Sequence, residues 1–328
     1  MQWILNLFEA AQQWLFQSAV EPILYAFGLG GMLEDGFVAT GWILAGLVQI
    51  AVLLAVIGPL QRWRPVDQAL DAGEIRTDVL YTLLHRLGIF RVALFLSVEP
   101  LFDQLFGWFR VMGLGTVHID QLMVGVTDHP LISFAIYLVV FDFFDYWIHR
   151  AQHRFEWWWS LHSLHHSQRS MTMWSDNRNH LLDDLIHDSL IVIIGQLIGV
   201  GPGQFIGLVV IAQLSESLQH ANVRLHFGWL GERLWVSPRY HRLHHAIGMG
   251  HEKDADDADN LVYGRSPAMG GHNFSVLLPC WDMLFGTANF EMRWDPTGIR
   301  DQVEAGREYG RGFWEQQKLG LLRLLGRA

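Results

Sequence analysis

Long apolar runs separated by short arginine-containing segments dominate the first two thirds of the chain. Val38 to Leu60 carries no charged residue and, at about 1.5 Å per residue, is long enough for the roughly 30 Å hydrocarbon core of a bilayer. Val79 to Phe106 and Pro130 to Ile148 are two further apolar runs, the former interrupted by basic residues near its start. The pattern predicts an all-α, integral membrane helical bundle.

A fourth apolar run, Leu185 to Leu218, is broken in its middle by the sequence GVGPG at residues 199–203. Each half has only about 15 residues, which is short for a complete crossing of the bilayer. We therefore expect a helical hairpin that enters and leaves the membrane on the same side.

The two ends of the chain have a different character. Residues 1–33 have neither the basic start nor the small-residue cleavage site of a secretory signal peptide, and we expect a helix in the membrane interface or against the bundle. Phe313 to Leu325 is predicted to be an amphipathic surface helix, and the acidic loop at 252–259 to be solvated and mobile. We expect a single membrane domain over 1–328, with spans in 1–134, a histidine-rich region in 135–290 and a tail in 291–328.

Arginines mark the expected cytoplasmic side. They are frequent in 61–76 and in 150–178, whereas the loop 107–128 has only one basic residue, Arg110. Because cytoplasmic loops carry an excess of basic residues, we expect residues 149–180 and, after the hairpin, residues 220–245 to face the cytoplasm. We therefore expect a protein that crosses a bacterial inner membrane several times.

Composition excludes several classes of protein. The chain has 328 residues, of which 51% are hydrophobic and 15 are tryptophan, which is too apolar for an ordinary soluble protein. The net charge of −10 argues against nucleic-acid binding. Cys280 is the only cysteine, so neither an intrachain disulfide nor a thiolate cluster is possible. Any metal must be held by histidine and carboxylate.

Histidines are concentrated in short motifs that directly follow apolar runs. Residues at i and i+4 share one face of a helix, so imidazoles at this spacing can converge on a metal. An HxxHH pattern occurs twice, at 162–166 and at 241–245. We interpret these histidines as one metal site built from two sets: His149, His153, His162, His165, His166, His241, His244 and His245. The isolated histidines, by contrast, are expected to be structural: His85, His118, His129, His187, His226 and His251.

His180 and His220 lie between the sets at 149–166 and 241–245. Together with the eight histidines of those sets, they offer four or five nitrogens to each of two metals. A catalytic zinc site uses about three protein ligands, so ten imidazoles exceed one such site. Imidazole suits Zn, Cu, Fe and Ni alike, and the ligand type does not name the metal. Haem is disfavoured, because its axial histidines would lie singly on facing helices.

Carboxylates lie where they can orient these imidazoles. Asp145 precedes His149 by four residues and Asp142 precedes it by seven, while Asp183 follows His180 by three. We expect them to hydrogen-bond to ligand histidines. The alternative for Asp142 and Asp145 is an ion pair with nearby arginines.

Six motifs, HRAQH, HSLHH, NHLLD, QHANVR, SPRYHRLHH and WDMLFGT, occur in this order over roughly residues 135 to 290. Together they resemble the fatty acid hydroxylase and sterol desaturase superfamily. The resemblance implies a membrane-embedded helical bundle with a cytoplasmic helical cap that holds a histidine-rich dimetal site. Such proteins use two iron ions, O2 and two electrons to hydroxylate or desaturate lipids. Zinc could occupy the same histidine site in place of iron.

Carried onto this sequence, the resemblance implies that the metal ligands are His149, His153, His162, His165, His166, His180, His220, His241, His244 and His245. Asp145, Asp183 and Asn222 are expected to hydrogen-bond to them, and no catalytic residue beyond the ligands is expected. Family members often read HPxE where this chain has His180, Leu181, Leu182 and Asp183. Family members reach a short NYG stretch soon after the last histidine set, whereas here the acidic loop and Gly270 and Gly271 intervene and residues 272–275 stand in for it. The resemblance therefore extends to the metal core but not to substrate access and specificity.

The predicted function is O2-dependent hydroxylation of a C–H bond in a fatty acyl or sterol-like lipid from the bilayer. Electrons must come from a separate ferredoxin or cytochrome-type donor, since the sequence has no flavin, haem or cysteine-cluster motif. Desaturation or methyl oxidation at the same site is an alternative. A membrane zinc-binding protein without redox chemistry is an alternative of a different class.

Overall fold

The computed structural model describes residues 2–90, 99–247 and 271–328. Within these ranges the chain is helical, with one isolated β-bridge between Ala246 and Thr297. The prediction of an all-α fold is confirmed. In the described ranges, the α-helices are α1 (Gln2–Leu15), α2 (Glu21–Ala26), α3 (Leu33–Val52), α4 (Gly58–Trp63), α5 (Ala72–Arg86), α6 (Glu99–Val111), α7 (Pro130–Arg154), α8 (Glu156–His166), α9 (Leu181–Ile198), α10 (Pro202–His220), α11 (Gly228–Leu234), α12 (Pro238–His244), α13 (Cys280–Phe285), α14 (Arg300–Glu304) and α15 (Phe313–Leu324).

Two helical segments are long and apolar enough to cross a membrane. The first is continuous over Gly30–Trp63, 34 residues, because the π-helical turn Leu53–Ile57 joins α3 to α4. That turn lets the helix continue through Pro59 and past Leu60, where the apolar run ends. The second is α7, 25 residues long, with Pro130 in its first turn. These two segments suggest association with a membrane.

The predicted span over Val79 to Phe106 is wrong as a single helix. Helix α5 ends at Arg86, and Gly88 follows with φ +73°. Ile89 and Phe90 are helical again, residues 91–98 lie outside the described part of the chain, and α6 covers Glu99–Val111. Arg86, the last residue of α5, is buried in a polar contact: its Nη2 donates to Asp176 at 2.6 Å. A buried, paired arginine belongs to the interior of the fold and not to a lipid-facing helix.

The expected hairpin is present as α9 and α10. Gly199 ends α9 in the left-handed conformation, φ +70°, and α10 starts at Pro202. The Tyr137 hydroxyl of α7 donates to the carbonyls of Ile198 and Gly199, at 3.2 and 3.1 Å, so this turn lies near the start of α7. The other ends of the hairpin therefore lie beside the end of α7, which places both histidine sets at one end of the bundle.

Both termini pack on the bundle. The Gln12 amide donates to the Phe37 carbonyl at 2.8 Å, and Phe16 packs edge-on against Phe37, which holds α1 against α3. The C-terminal helix is confirmed as α15. Its buried residues include Gln317 and Gly320, which lie against His180, and Arg323, which donates to the Ser160 carbonyl of α8, whereas Leu321 is 45% exposed. The acidic loop at 252–259 lies outside the described residues.

Candidate metal centre

The ends of three helices and one short helix deliver nine histidines to a common region. Helix α7 supplies two of them in its last turns, α8 supplies three, α10 ends on one, and α12 with the residue after it supplies three. None is more than 8% exposed. The nine are His149, His153, His162, His165, His166, His220, His241, His244 and His245.

The first group consists of His149, His153, His162 and His166, whose ligand atoms all lie within 4.8 Å of one another. His244 belongs with them, because its ring centroid lies 4.5 Å from that of His149 and 4.7 Å from those of His153 and His166. We call these five imidazoles the anchored group.

The second group consists of His165, His220, His241 and His245, and we call it the open group. The Nε2 atoms of His165 and His220 lie 3.2 Å apart, those of His220 and His241 3.2 Å, and those of His241 and His245 3.1 Å. Nitrogens bound at about 2.1 Å to one metal are roughly 3.0 to 3.4 Å apart. The open group therefore has the spacing of ligands around a single ion.

The two groups are adjacent. The rings of His166 and His245 stack at 4.3 Å, and His166, His244 and His245 form a third set with ligand atoms within 4.8 Å. Within the described residues, the Nε2 atoms of His162, His166 and His244 are buried without a hydrogen-bond partner. Such atoms are costly unless a ligand satisfies them, so the residues fit a centre of two metal ions.

The electrostatics keep these imidazoles in the form that binds metal. Burial, together with the neighbouring histidines, holds the pKa values of His165, His166, His241 and His245 well below the ordinary value. Burial does the same to the pKa of His244. All five are therefore neutral near pH 7, with a lone pair available for a metal.

Three members of the anchored group are hydrogen-bonded through Nδ1. The Nδ1 of His149 lies 2.8 Å from the Phe274 carbonyl oxygen, and that of His244 lies 2.6 Å from the His272 carbonyl oxygen. A carbonyl can only accept, so Nδ1 carries the proton in both rings and Nε2 is left for a metal. The sequence did not indicate that backbone carbonyls of residues 272–274 perform this role.

Asp183 holds the third imidazole. Its Oδ2 lies 3.0 Å from His162 Nδ1, while Oδ1 accepts from Gln152 at 2.8 Å and from the Trp158 indole at 2.6 Å. Burial alone would raise the pKa of the Asp183 carboxyl, but these hydrogen bonds outweigh it and lower the pKa below the ordinary value. Asp183 contacts a ligand candidate as expected, although that residue is His162 and not His180.

Segment 272–275, which we call the strap, is itself held by the fully buried Asp282. The Asp282 carboxylate accepts from the backbone N–H groups of Phe274 and Ser275, both at 2.9 Å, and from the hydroxyls of Tyr240 and Thr287. Asn273 has φ +58°, an uncommon conformation for a residue other than glycine. Sequence reasoning missed both residues as parts of the site. The available signal was an aspartate within the apolar motif WDMLFGT.

His180 is a correction to the predicted ligand set. Its Nδ1 accepts from the Leu182 N–H at 3.1 Å and caps α9, and its Nε2 lies 2.9 Å from the Gln317 carbonyl oxygen. Both ring nitrogens are used within the protein, and His180 is absent from the three groups of candidate ligands found in the described residues.

Three polar residues also have other partners than expected. Asp145 pairs with His187 at 3.2 Å. Asn222 bonds the backbone of Val66 and Asp67 and so ties the link after α4 to the end of α10. Asp142 accepts from Leu277 N, Leu278 N and the Trp281 indole, at 2.7 to 3.0 Å, because the segment that follows the strap packs against α7.

Comparison with known proteins agrees with the motif evidence. The model of the fatty acid hydroxylase family matches residues 134–287. Ornithine lipid hydroxylase OlsE of Rhizobium tropici is 26% identical over 262 residues, which cover 77% of this chain and 70% of that protein. Alkylglycerol monooxygenase of Caenorhabditis elegans is 25% identical over 158 residues, 47% of this chain but only 26% of that protein. No solved structure gives a match.

Proposed function

We propose that this chain, a member of the fatty acid hydroxylase superfamily, is a membrane-bound lipid hydroxylase whose anchored and open groups each bind one iron ion. The observation that carries the proposal is the pair of adjacent, buried, all-imidazole groups at one end of two membrane-length helices. Relatives named as a lipid hydroxylase and a monooxygenase support the same class of oxidoreductase.

Two bound iron ions would supply the activation of O2 and the oxidation of an unactivated C–H bond, which no side chain can perform. The protein's part is to place the imidazoles, to keep them neutral and to exclude water. Burial of all nine histidines keeps them neutral and excludes water. Asp183 and the strap carbonyls place the imidazoles, because they fix which nitrogen of His162, His149 and His244 carries the proton.

The substrate in this proposal is a fatty acyl or sterol-like lipid that reaches the centre from the bilayer. The two membrane-length helices and the lipid names of both relatives support it. The proposed orientation places the centre at the cytoplasmic face of a bacterial inner membrane, following the arginine distribution. A separate ferredoxin or cytochrome-type donor would supply the electrons.

Metal analysis tests the proposal. Protein purified anaerobically in detergent is expected to contain about two iron ions per chain, and the double variant His165→Ala, His245→Ala is expected to lose iron. Consumption of O2 after reduction, in the presence of lipid, should follow the iron content. Desaturation would be recognised as a product lighter by two hydrogens instead of heavier by one oxygen.

One observation favours a second candidate. The open group has four imidazoles, and structural zinc sites are closed with four protein ligands. Zinc without O2 consumption, even after the metal-free protein is loaded with iron and reduced, would indicate a non-redox zinc-binding protein.

A further inference from the structure

The two histidine groups differ in what holds their rings. In the anchored group, three of the five imidazoles have an Nδ1 acceptor outside the group: the Phe274 carbonyl, the His272 carbonyl and the Asp183 carboxylate. These acceptors come from two separate parts of the chain, the strap and the first turn of α9. The rings are therefore fixed from two directions before any metal is present.

In the open group, only His220 has such an acceptor within the described residues, the Glu216 carbonyl at 2.8 Å. The Nδ1 atoms of the other three rings, His165, His241 and His245, are buried and have no hydrogen-bond partner there. Their Nε2 atoms face one another and His220 at 3.1 to 3.2 Å. The members of this group are thus held mainly by their helices and not by hydrogen bonds to their rings.

The acceptors of the anchored group are themselves constrained. Gln152 and Trp158 fix Asp183, and the strap is tied by Asp282 and by Asn273. The Asn273 side chain donates to the carbonyls of Tyr240 and Asn289 and accepts from Asn289 N. A hydrogen-bond acceptor that cannot move orients the imidazole more strictly than a mobile one.

Partners of this kind have a known effect on metal sites. They fix the tautomer and orientation of a ligand histidine and make it a stronger donor, and removal of one typically lowers metal affinity by about 10-fold to 100-fold. A group with three such partners is therefore expected to bind its ion more tightly than a group with one.

We propose that the anchored and open groups are unequal metal sites: the anchored group fills first and binds its ion at least about tenfold more tightly, and the open group fills second. This inference rests on the proposed dimetal function. It adds an order of loading and identifies Asp183 and the carbonyls of His272 and Phe274 as groups that orient the rings of one site only.

Titration of the metal-free, full-length protein in detergent with Co²⁺, without O2, tests the inference. Visible absorption reports cobalt coordination, and competition with a chelating dye reports affinity. Wild-type protein is expected to take up cobalt in two resolved steps. His162→Ala should remove the tighter step, and His241→Ala should remove the weaker one, because each residue belongs to one group only.

Asp183→Asn separates a positioning role from a general structural one. It should weaken the tighter step by about 10-fold to 100-fold and leave the weaker step unchanged. Asp188→Asn is the matched control: it is the same substitution on the same helix, at a residue that pairs with His187 outside both groups. It should alter neither step.

Two steps of equal affinity in the wild-type protein would overturn the inference while leaving the dimetal function intact. So would a loss of the same step in both His162→Ala and His241→Ala. Absence of cobalt binding in the wild-type protein would overturn the proposed function as well. If Asp183→Asn does not fold, the wild-type titration and the two histidine variants still decide the question.

Discussion

The anchored and open groups contain the same side chain, are buried to the same degree and lie side by side, but the protein holds them differently. The anchored group is bonded to the strap and to Asp183, and the open group has one backbone acceptor, from Glu216. The comparison teaches that the presence of a ligand and its orientation have different origins. Spacing along a helix supplies the imidazoles, and contacts between distant segments orient them.

Removal of one ligand from either group is expected to have the largest effect. Both His153→Ala and His220→Ala should lower lipid hydroxylation by more than about 100-fold, because loss of a mere outer partner already costs up to that factor. Product formation is measured by mass spectrometry, and circular dichroism and gel filtration check folding. If either variant kept its activity, one group would be sufficient for catalysis, and the proposal that both groups are needed would be wrong.

Acidic pH is expected to destabilise both groups together. The folded histidines have lowered pKa values, so between about pH 6.5 and those lower values the unfolded chain binds more protons than the folded one. The contribution of these histidines to stability should be constant above about pH 7 and should fall as the pH drops below about 6.5, by up to about 1.4 kcal/mol per pH unit for each such histidine. The melting temperature of the metal-free protein measures this. A rise in melting temperature between pH 7 and pH 5.5 would contradict the account.

Asp282→Ala is expected to weaken the anchored group more than the open group, because Asp282 holds the strap whose carbonyls orient two rings of the anchored group. The substitution leaves the N–H groups of Phe274 and Ser275 and the hydroxyls of Tyr240 and Thr287 without their acceptor, at a cost of about 3 to 5 kcal/mol. Thermal denaturation should report the lower stability, and metal analysis should report loss of one ion. Glu304→Ala is a control at an exposed ion pair with Arg300 and should change stability by less than about 1 kcal/mol. Equal loss of both ions in Asp282→Ala would argue against a strap that serves one site.

The smallest effect is expected for Glu216→Gln. His220 is held by the backbone carbonyl of residue 216, which this substitution keeps. Affinity for the second cobalt ion should therefore change by less than about twofold, in contrast to the effect of Asp183→Asn on the first. A tenfold change would show that the Glu216 side chain positions the open group.

Local patterns in the sequence predicted much of this centre. The i, i+4 and HxxHH spacings identified eight of the nine histidines that the structure brings together. His220 was predicted from the segment between the two sets, and GVGPG identified the turn between α9 and α10. Those features depend only on helix geometry and on the conformations that glycine and proline prefer.

The rest depends on contacts between segments that are far apart in the chain. His149 and Phe274 are 125 residues apart, and no local pattern relates them. His180 was predicted as a ligand from the motif NHLLD, but its ring caps α9 through Nδ1 and bonds the Gln317 carbonyl of α15 through Nε2. Likewise, Asp142 has the spacing of a residue that supports His149, yet it binds the segment after the strap. The run Val79 to Phe106 resembled a span because the ion pair of Arg86 with Asp176 cannot be recognised from α5 alone.

The central claim is that this centre inserts oxygen from O2 into a lipid. The most direct test incubates the iron-loaded protein with a reductant, a total lipid extract and ¹⁸O2, and compares lipid masses with those from the His165→Ala, His245→Ala variant. The account predicts lipids heavier by one ¹⁸O atom in the wild-type reaction only. Lipids unchanged in mass in both reactions, despite two bound iron ions per chain, would contradict it.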